Sequence, residues 1–230
     1  MHTYENYIIK ESMCDCFRRL KLQHMFVMMQ DVAYKDLDSC GYGRKSLLDK
    51  DIAFLLRRSV VKVLNPMYAD DLISVGTSQI SLQGMTYTRD FIFKCNNDTS
   101  LLATTQWFLC KISDKSLLRP EINTISYKED AVGVSIGNKP EIDCNKSKQY
   151  NIVRAGYSSI DGNMHVNNTE YVAWVCDAPD ALKFMEKGCY DFDIYFKKEV
   201  VLSDNVVLKQ KDNTMCGMTK DQINFIAKFE

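Results

Sequence analysis

Ile160-Asp161-Gly162-Asn163-Met164-His165-Val166-Asn167-Asn168 runs directly into Thr169-Glu170-Tyr171-Val172-Ala173-Trp174-Val175. Read as a strand end, a glycine kink and a helix start, the stretch places Asp161, Asn163 and His165 at alternate positions. An extended backbone would turn all three side chains to one side. Asn167 and Asn168 suit the N-cap of the segment that follows, where Tyr171, Trp174 and Val175 share one helical face. The carboxylate can orient or deprotonate a water, the amide can donate to a carbonyl oxygen, and the imidazole can carry a proton near neutrality. A helix N-terminus beside them offers N–H groups to a developing oxyanion. That set suits acyl-group hydrolysis, although the same residue types also build ordinary tight turns and helix caps.

Working outward, residues 149–230 read as strand, helix, strands. Residues 150–157 are strand-like, 167–177 helical, and 190–202, 205–210 and 222–229 strand-like. The first half has the same order: a strand within 4–16, then a helix over 20–37 whose apolar stripe includes Leu22, Met25, Phe26, Met29 and Val32. Gly41-Tyr42-Gly43 stops that helix, and strands are expected over 54–64, 71–81, 85–94 and 101–112. From 113 to 148 the pattern dissolves into Pro, Gly, Asn and charges, so a linker is expected there. The division is 1–120, a linker at 121–148, and 149–230. Arg57-Arg58-Ser59-Val60-Val61 with the Pro66 to Asp71 segment parallels Lys197-Lys198-Glu199-Val200-Val201 with Ser203-Asp204-Asn205. Two copies of one α+β unit would pair through their sheets as a pseudo-dimer. The first copy has no Asp-x-Asn-x-His cluster at its helix, so the chemistry is expected in the second.

Composition narrows the classes. The 29 basic and 30 acidic residues nearly cancel without long single-sign blocks, which argues against nucleic-acid binding. Nine cysteines, an odd and scattered set with no C-x-x-C, and three dispersed histidines imply no metal site. With neither a basic start followed by an apolar stretch nor an apolar run of about 20 residues, a cytoplasmic protein with reduced thiols and no membrane span is expected.

The stretch Ser158-Ser159-Ile160-Asp161-Gly162-Asn163-Met164-His165-Val166-Asn167-Asn168-Thr169-Glu170-Tyr171-Val172-Ala173-Trp174 resembles the signature of the acyl-acyl carrier protein (acyl-ACP) thioesterases, tandem hotdog proteins of plants and bacteria. In the first half Gly41-Tyr42-Gly43, Arg57-Arg58, Asp70-Asp71, Arg89-Asp90-Phe91, Trp107 and Arg119-Pro120 fall in the family's order. The resemblance implies two hotdog folds, each a long helix wrapped by an antiparallel sheet. It implies a hydrolytic site of Asp161, Asn163, His165 and Glu199, with no organic cofactor or metal. Val200 stands where plant members have a cysteine, which favours attack by water, and Ser159 stands where many members have an acidic residue.

By the same analogy Met25, Phe26, Met29, Phe91, Trp107 and Asn167 are candidates for the acyl site, each equally explained as core or cap. Arg57, Arg58, Lys197 and Lys198 are candidates for docking an acidic carrier protein whose phosphopantetheine arm delivers the acyl chain. A homodimer of tandem chains, an acyl-CoA thioesterase, a non-catalytic acyl-binding module and a hotdog dehydratase are the other readings that these residues leave open.

Overall fold

The computed structural model describes residues 3–119 and 132–230. One antiparallel sheet of ten strands runs through it, in the order β1-β3-β4-β5-β2-β7-β10-β9-β8-β6. The first five strands are β1 (Thr3–Ile8), β2 (Ile52–Val63), β3 (Leu72–Gln83), β4 (Thr86–Cys95) and β5 (Asp98–Lys111). The second five are β6 (Lys148–Arg154), β7 (Tyr190–Phe196), β8 (Asn205–Lys211), β9 (Thr214–Thr219) and β10 (Gln222–Phe229). Adding five to each strand of the first set, 1-3-4-5-2, gives 6-8-9-10-7, which is the second set read inward from the opposite edge. The sequence is thus two copies of one unit joined where β2 pairs with β7, from Arg58 opposite Tyr195 to Val63 opposite Tyr190.

Each copy lays helix on sheet. α1 (Leu22–Ser39) turns Leu22, Met25, Phe26, Met29, Val32 and Ala33 inward, the periodic stripe expected of an amphipathic helix. Its equivalent α3 (Asn168–Cys176) buries Tyr171, Val172, Trp174 and Val175. The core is continuous across the join: Phe26 meets Phe192 edge to face at 6.0 Å, and Tyr171 packs against Trp174, Phe196 and Phe225. The two short helices are α2 (Arg44–Asp49) and α4 (Leu182–Lys187). This is the hotdog layout in tandem. Among the described residues no helix is long and apolar enough to cross a membrane.

Several expectations need correction. β9 and α4 carry no clear periodic signal and are not among the expected elements. β7 ends at Phe196 rather than continuing to residue 202. The repeat register is also different: the Pro66 to Asp71 segment matches Glu199 to Asp204, not a segment starting at Ser203. Met67 O and Val200 O accept the N–H groups of Leu20 and Val166, and Asp71 and Asp204 each cap the residue three before them. Arg57-Arg58 and Lys197-Lys198 are therefore not equivalent pairs. Of the expected linker, 121–131 lies outside the described residues. The following residues cross the sheet face opposite the helices, where Asp90 Oδ2 accepts from the N–H groups of Val132 and Gly133 at 3.1 and 2.9 Å. A Cβ at Gly133 would meet Thr104 Oγ1 at 2.0 Å, so only glycine lets the chain lie this close.

Candidate active site

The opening stretch folds as a turn, not as an extended strand. Asp161 N–H donates to His165 O at 2.8 Å, and Asp161 Oδ1 accepts from the N–H groups of Asn163 and His165 at 2.8 and 3.3 Å. Met164 takes the left-handed conformation, φ 65°, which closes the loop. Alternation of side chains along a strand therefore does not apply, and the carboxylate is turned back on its own backbone. Asn163 is exposed and His165 half-buried. Asn167 caps α3 as expected, its Oδ1 accepting from Thr169 N–H at 3.0 Å.

The first half contains the same turn with different side chains. Asp15 Oδ1 accepts from the N–H groups of Phe17 and Arg19, both at 2.9 Å, and Arg18 has φ 61°. By the register of these hydrogen bonds Asp15 matches Asp161, Phe17 matches Asn163, Arg19 matches His165 and Pro66 matches Glu199. The aspartate is kept in a copy that has none of the other three groups, which points to a turn-building use for its Oδ1.

Glu199 reaches the loop because the chain leaves the sheet after β7. A bulge at Asn224 lets Asn224 O accept from the N–H groups of Lys197 and Lys198 at 2.7 and 3.0 Å, while its Nδ2 reaches Lys198 O and Glu199 O. Val200 N–H donates to Tyr171 Oη at 3.1 Å and Val200 itself is fully buried. Between them these anchors hold Glu199 Oε2 at 3.0 Å from His165 Nε2, with the carboxylate 38% and the imidazole 19% exposed. Asn224 was not singled out from sequence, where an asparagine inside an apolar strand gives no sign of a bulge, and Tyr171 reads there only as part of the helix's apolar face and of the family signature.

A cavity of about 820 Å³ lies between α1, α2 and the strands β2 to β5, and 161–163 form part of its wall. Trp107 and Asn167 line it, as do Tyr34, Leu47 and Phe54, with Gln79 and Arg89 as polar members. Met25, Phe26, Met29 and Phe91 do not line it. All four are at most 3% exposed and belong to the closed core. Arg89 is paired inside the protein with Asp36, Nη1 to Oδ2 at 2.8 Å, and burial pulls its basicity down against the pull of that carboxylate. First-half residues also hold the second-half loop. Arg44 Nη2 donates to Gly162 O at 3.2 Å and Gln30 Nε2 to Asn167 Oδ1 at 3.3 Å. A Cβ at Gly162 would lie 2.6 Å from Arg44 Nη2, so any larger residue there displaces the Arg44 guanidinium.

The four basic residues expected to dock a carrier divide. Arg58 is buried, bound to both oxygens of Asp193 and to the carbonyls of Gly137 and Asn138, and has no surface to offer. Arg57 is half-buried and clamps Phe196 O and Tyr195 Oη. Lys197 and Lys198 are exposed beside Glu199.

Family models agree with this geometry over almost the whole length. The acyl-ACP thioesterase N-terminal domain matches residues 1–119 and the C-terminal domain matches residues 141–227. The chain belongs to the acyl-ACP thioesterase family. It is a thioester hydrolase that acts on fatty acyl-ACP. Solved structures share the thioesterase fold end to end. An acyl-ACP thioesterase from Bacteroides thetaiotaomicron is 16% identical with a TM-score of 0.86, covering 99% of this chain and 97% of that one. A 12:0-ACP thioesterase from Umbellularia californica is 16% identical with a TM-score of 0.81, covering 99% and 95%. No curated protein sequence matches the thioesterase significantly.

Proposed function

We propose that this thioesterase cleaves its substrate at the pair of His165 and Glu199, with the acyl chain in the cavity between α1, α2 and the first-half strands. The observation that carries the reading is the 3.0 Å contact between His165 Nε2 and Glu199 Oε2, formed by residues from two separate turns. In this arrangement His165 holds the Glu199 carboxylate through its Nε2 edge, and the Glu199 carboxylate takes a proton from the attacking water. Asn163, exposed at the cavity wall, donates to the thioester carbonyl oxygen as negative charge develops there. Asp161 holds the loop. The C–S bond of the tetrahedral intermediate then breaks, and the proton taken from water passes to the departing thiolate. Fatty acid and free carrier thiol are the products.

Lys197 and Lys198 supply the positive charge that meets an acidic carrier, and Arg57 and Arg58 act behind them by holding β7. Release of the acyl chain ends its elongation on the carrier, which places the enzyme at the exit of fatty acid synthesis in the cytoplasm. The test is thiol release from acyl-ACP and acyl-CoA of graded chain length, with native protein and His165→Ala. Loss of several orders of magnitude in folded His165→Ala supports the site, and an active variant removes it. Equal kcat/KM for the two carriers at low and high salt would remove the docking role of Lys197 and Lys198.

A further inference from the structure

A cationic group meets His165 and Glu199, and it comes from the other half of the chain. Lys115 Nζ lies 3.3 Å from Glu199 Oε2 and 3.3 Å from His165 Nε2. With the 3.0 Å contact between His165 and Glu199, the three groups form a closed triangle. Nothing in the sequence marks Lys115, which falls where the strand pattern dissolves.

The fold delivers this lysine by an extension that breaks the symmetry of the repeat. β2 and β5 have 12 and 14 residues, whereas their counterparts β7 and β10 have 7 and 8. The pairing of β2 with β5 continues from Leu56 opposite Trp107 to Ile52 opposite Lys111, beyond Arg58, the last β2 residue that pairs with β7. At the tip, residues 111–116 make a tight turn. Lys111 N–H donates to Ser116 O at 2.9 Å and Lys115 N–H to Lys111 O at 3.1 Å. The Asp51 carboxylate holds the N–H and hydroxyl of Ser113, and Asp114 Oδ1 accepts from Ser116 N–H at 2.8 Å. Lys115 itself has φ 62°, a conformation that a non-glycine residue holds only where its surroundings fix it. The equivalent first-half loop meets the end of α4 instead, where Arg19 Nη1 donates to Glu186 O at 3.2 Å.

The charges define what the lysine does. An ammonium has no acceptor, so it cannot take a proton from water. Lys115 Nζ donates to Oε2 of Glu199, and His165 Nε2 lies 3.0 Å from the same oxygen, which leaves Oε1 as the carboxylate oxygen with lone pairs to spare. Glu199 sits on an exposed turn, and without the lysine its carboxylate is free to rotate toward solvent. We propose that Lys115 is a positioning residue of the thioesterase: it fixes Oε2 of Glu199 against His165 and presents Oε1 to the attacking water, so the hydrolytic site is completed by the first half. This rests on the assignment of His165 and Glu199 as the hydrolytic pair.

The test uses the full chain and two substrates with one acyl group, acyl-ACP and acyl-pantetheine. Lys115→Met is expected to lower kcat on both by about 10- to 100-fold at unchanged KM, the scale of a misplaced catalytic group. Lys115→Arg should retain most of the rate, and added ethylammonium should restore Lys115→Ala saturably where ethanol does not. An effect confined to KM for acyl-ACP would overturn the proposal and make Lys115 a docking cation. Equal loss in the Met and Arg variants without amine rescue would overturn it in favour of a purely structural turn. Full activity of Lys115→Met beside inactive His165→Ala removes this proposal alone, whereas an active His165→Ala removes the hydrolytic pair beneath it.

Discussion

Replacing Glu199 with Gln separates the chemistry of the site from its architecture. The amide has the shape of the carboxylate and can still accept from His165 Nε2 and Lys115 Nζ, which lie 3.0 and 3.3 Å from Oε2. What disappears is the negative charge and the ability to take a proton. The effect on stability is small, because the ion pair with Lys115 is 55% and 38% exposed and such pairs contribute about 0–1 kcal/mol. Tyr171 and Asn224 hold the backbone on either side of Glu199 without using its side chain. The effect on rate is large: loss of a positioned general base costs roughly 10²- to 10⁴-fold, or about 3–5.5 kcal/mol in the barrier. Glu199 does not line the cavity, so KM should stay near native. The assay is thiol release from acyl-ACP across a substrate titration, paired with urea unfolding. A kcat within threefold of native, or a loss seen only in KM, would refute the assignment of Glu199 as the base.

The paired turns give a second prediction. Asp15→Ala and Asp161→Ala should each cost about 1–2 kcal/mol of stability by removing two backbone hydrogen bonds, but only the second should lower activity. Asp161→Asn keeps the acceptor and should retain far more activity than His165→Ala; equal losses would make Asp161 a proton acceptor instead. Ala33 lines the cavity from α1, and Ala33→Phe should shift preference to shorter chains at about fourfold per excluded methylene, read from relative rates over a chain-length series. An unchanged rank order would place the acyl chain elsewhere. Arg89→Met strips a buried carboxylate of its cation and should cost about 3–5 kcal/mol in urea unfolding, with Asp36→Leu in the same chain recovering part of it. A loss below 1 kcal/mol would mean that water reaches Asp36.

Local pattern carried much of this protein. Amphipathic spacing placed α1 and most strands within a few residues, because a helix or strand with one buried face must repeat its apolar residues at that element's own period. The order strand, helix, strands appearing twice was enough to give a tandem α+β unit, and the residues from 158 to 174 were enough to point at the thioesterase family. Elements without period give no such signal: β9 is almost wholly buried, and α4 is six residues long with none of them buried.

What only the tertiary structure decided is which groups meet. Asp161, Asn163 and His165 were grouped as a strand, but the positive φ of Met164 turns the loop so that Asp161 serves its own backbone. Arg58 looked like a surface cation and is buried on Asp193 of the other half. Lys115, 50 residues before His165, arrives through an extended hairpin whose length matters only once β2 is paired with β7. Contacts of this kind depend on register and on the join between copies, and a single chain of letters records neither. Sequence determined the unit and its duplication, because these follow from periodicity along the chain. The composition of the site came from breaking the symmetry of that duplication, which is a property of the folded sheet.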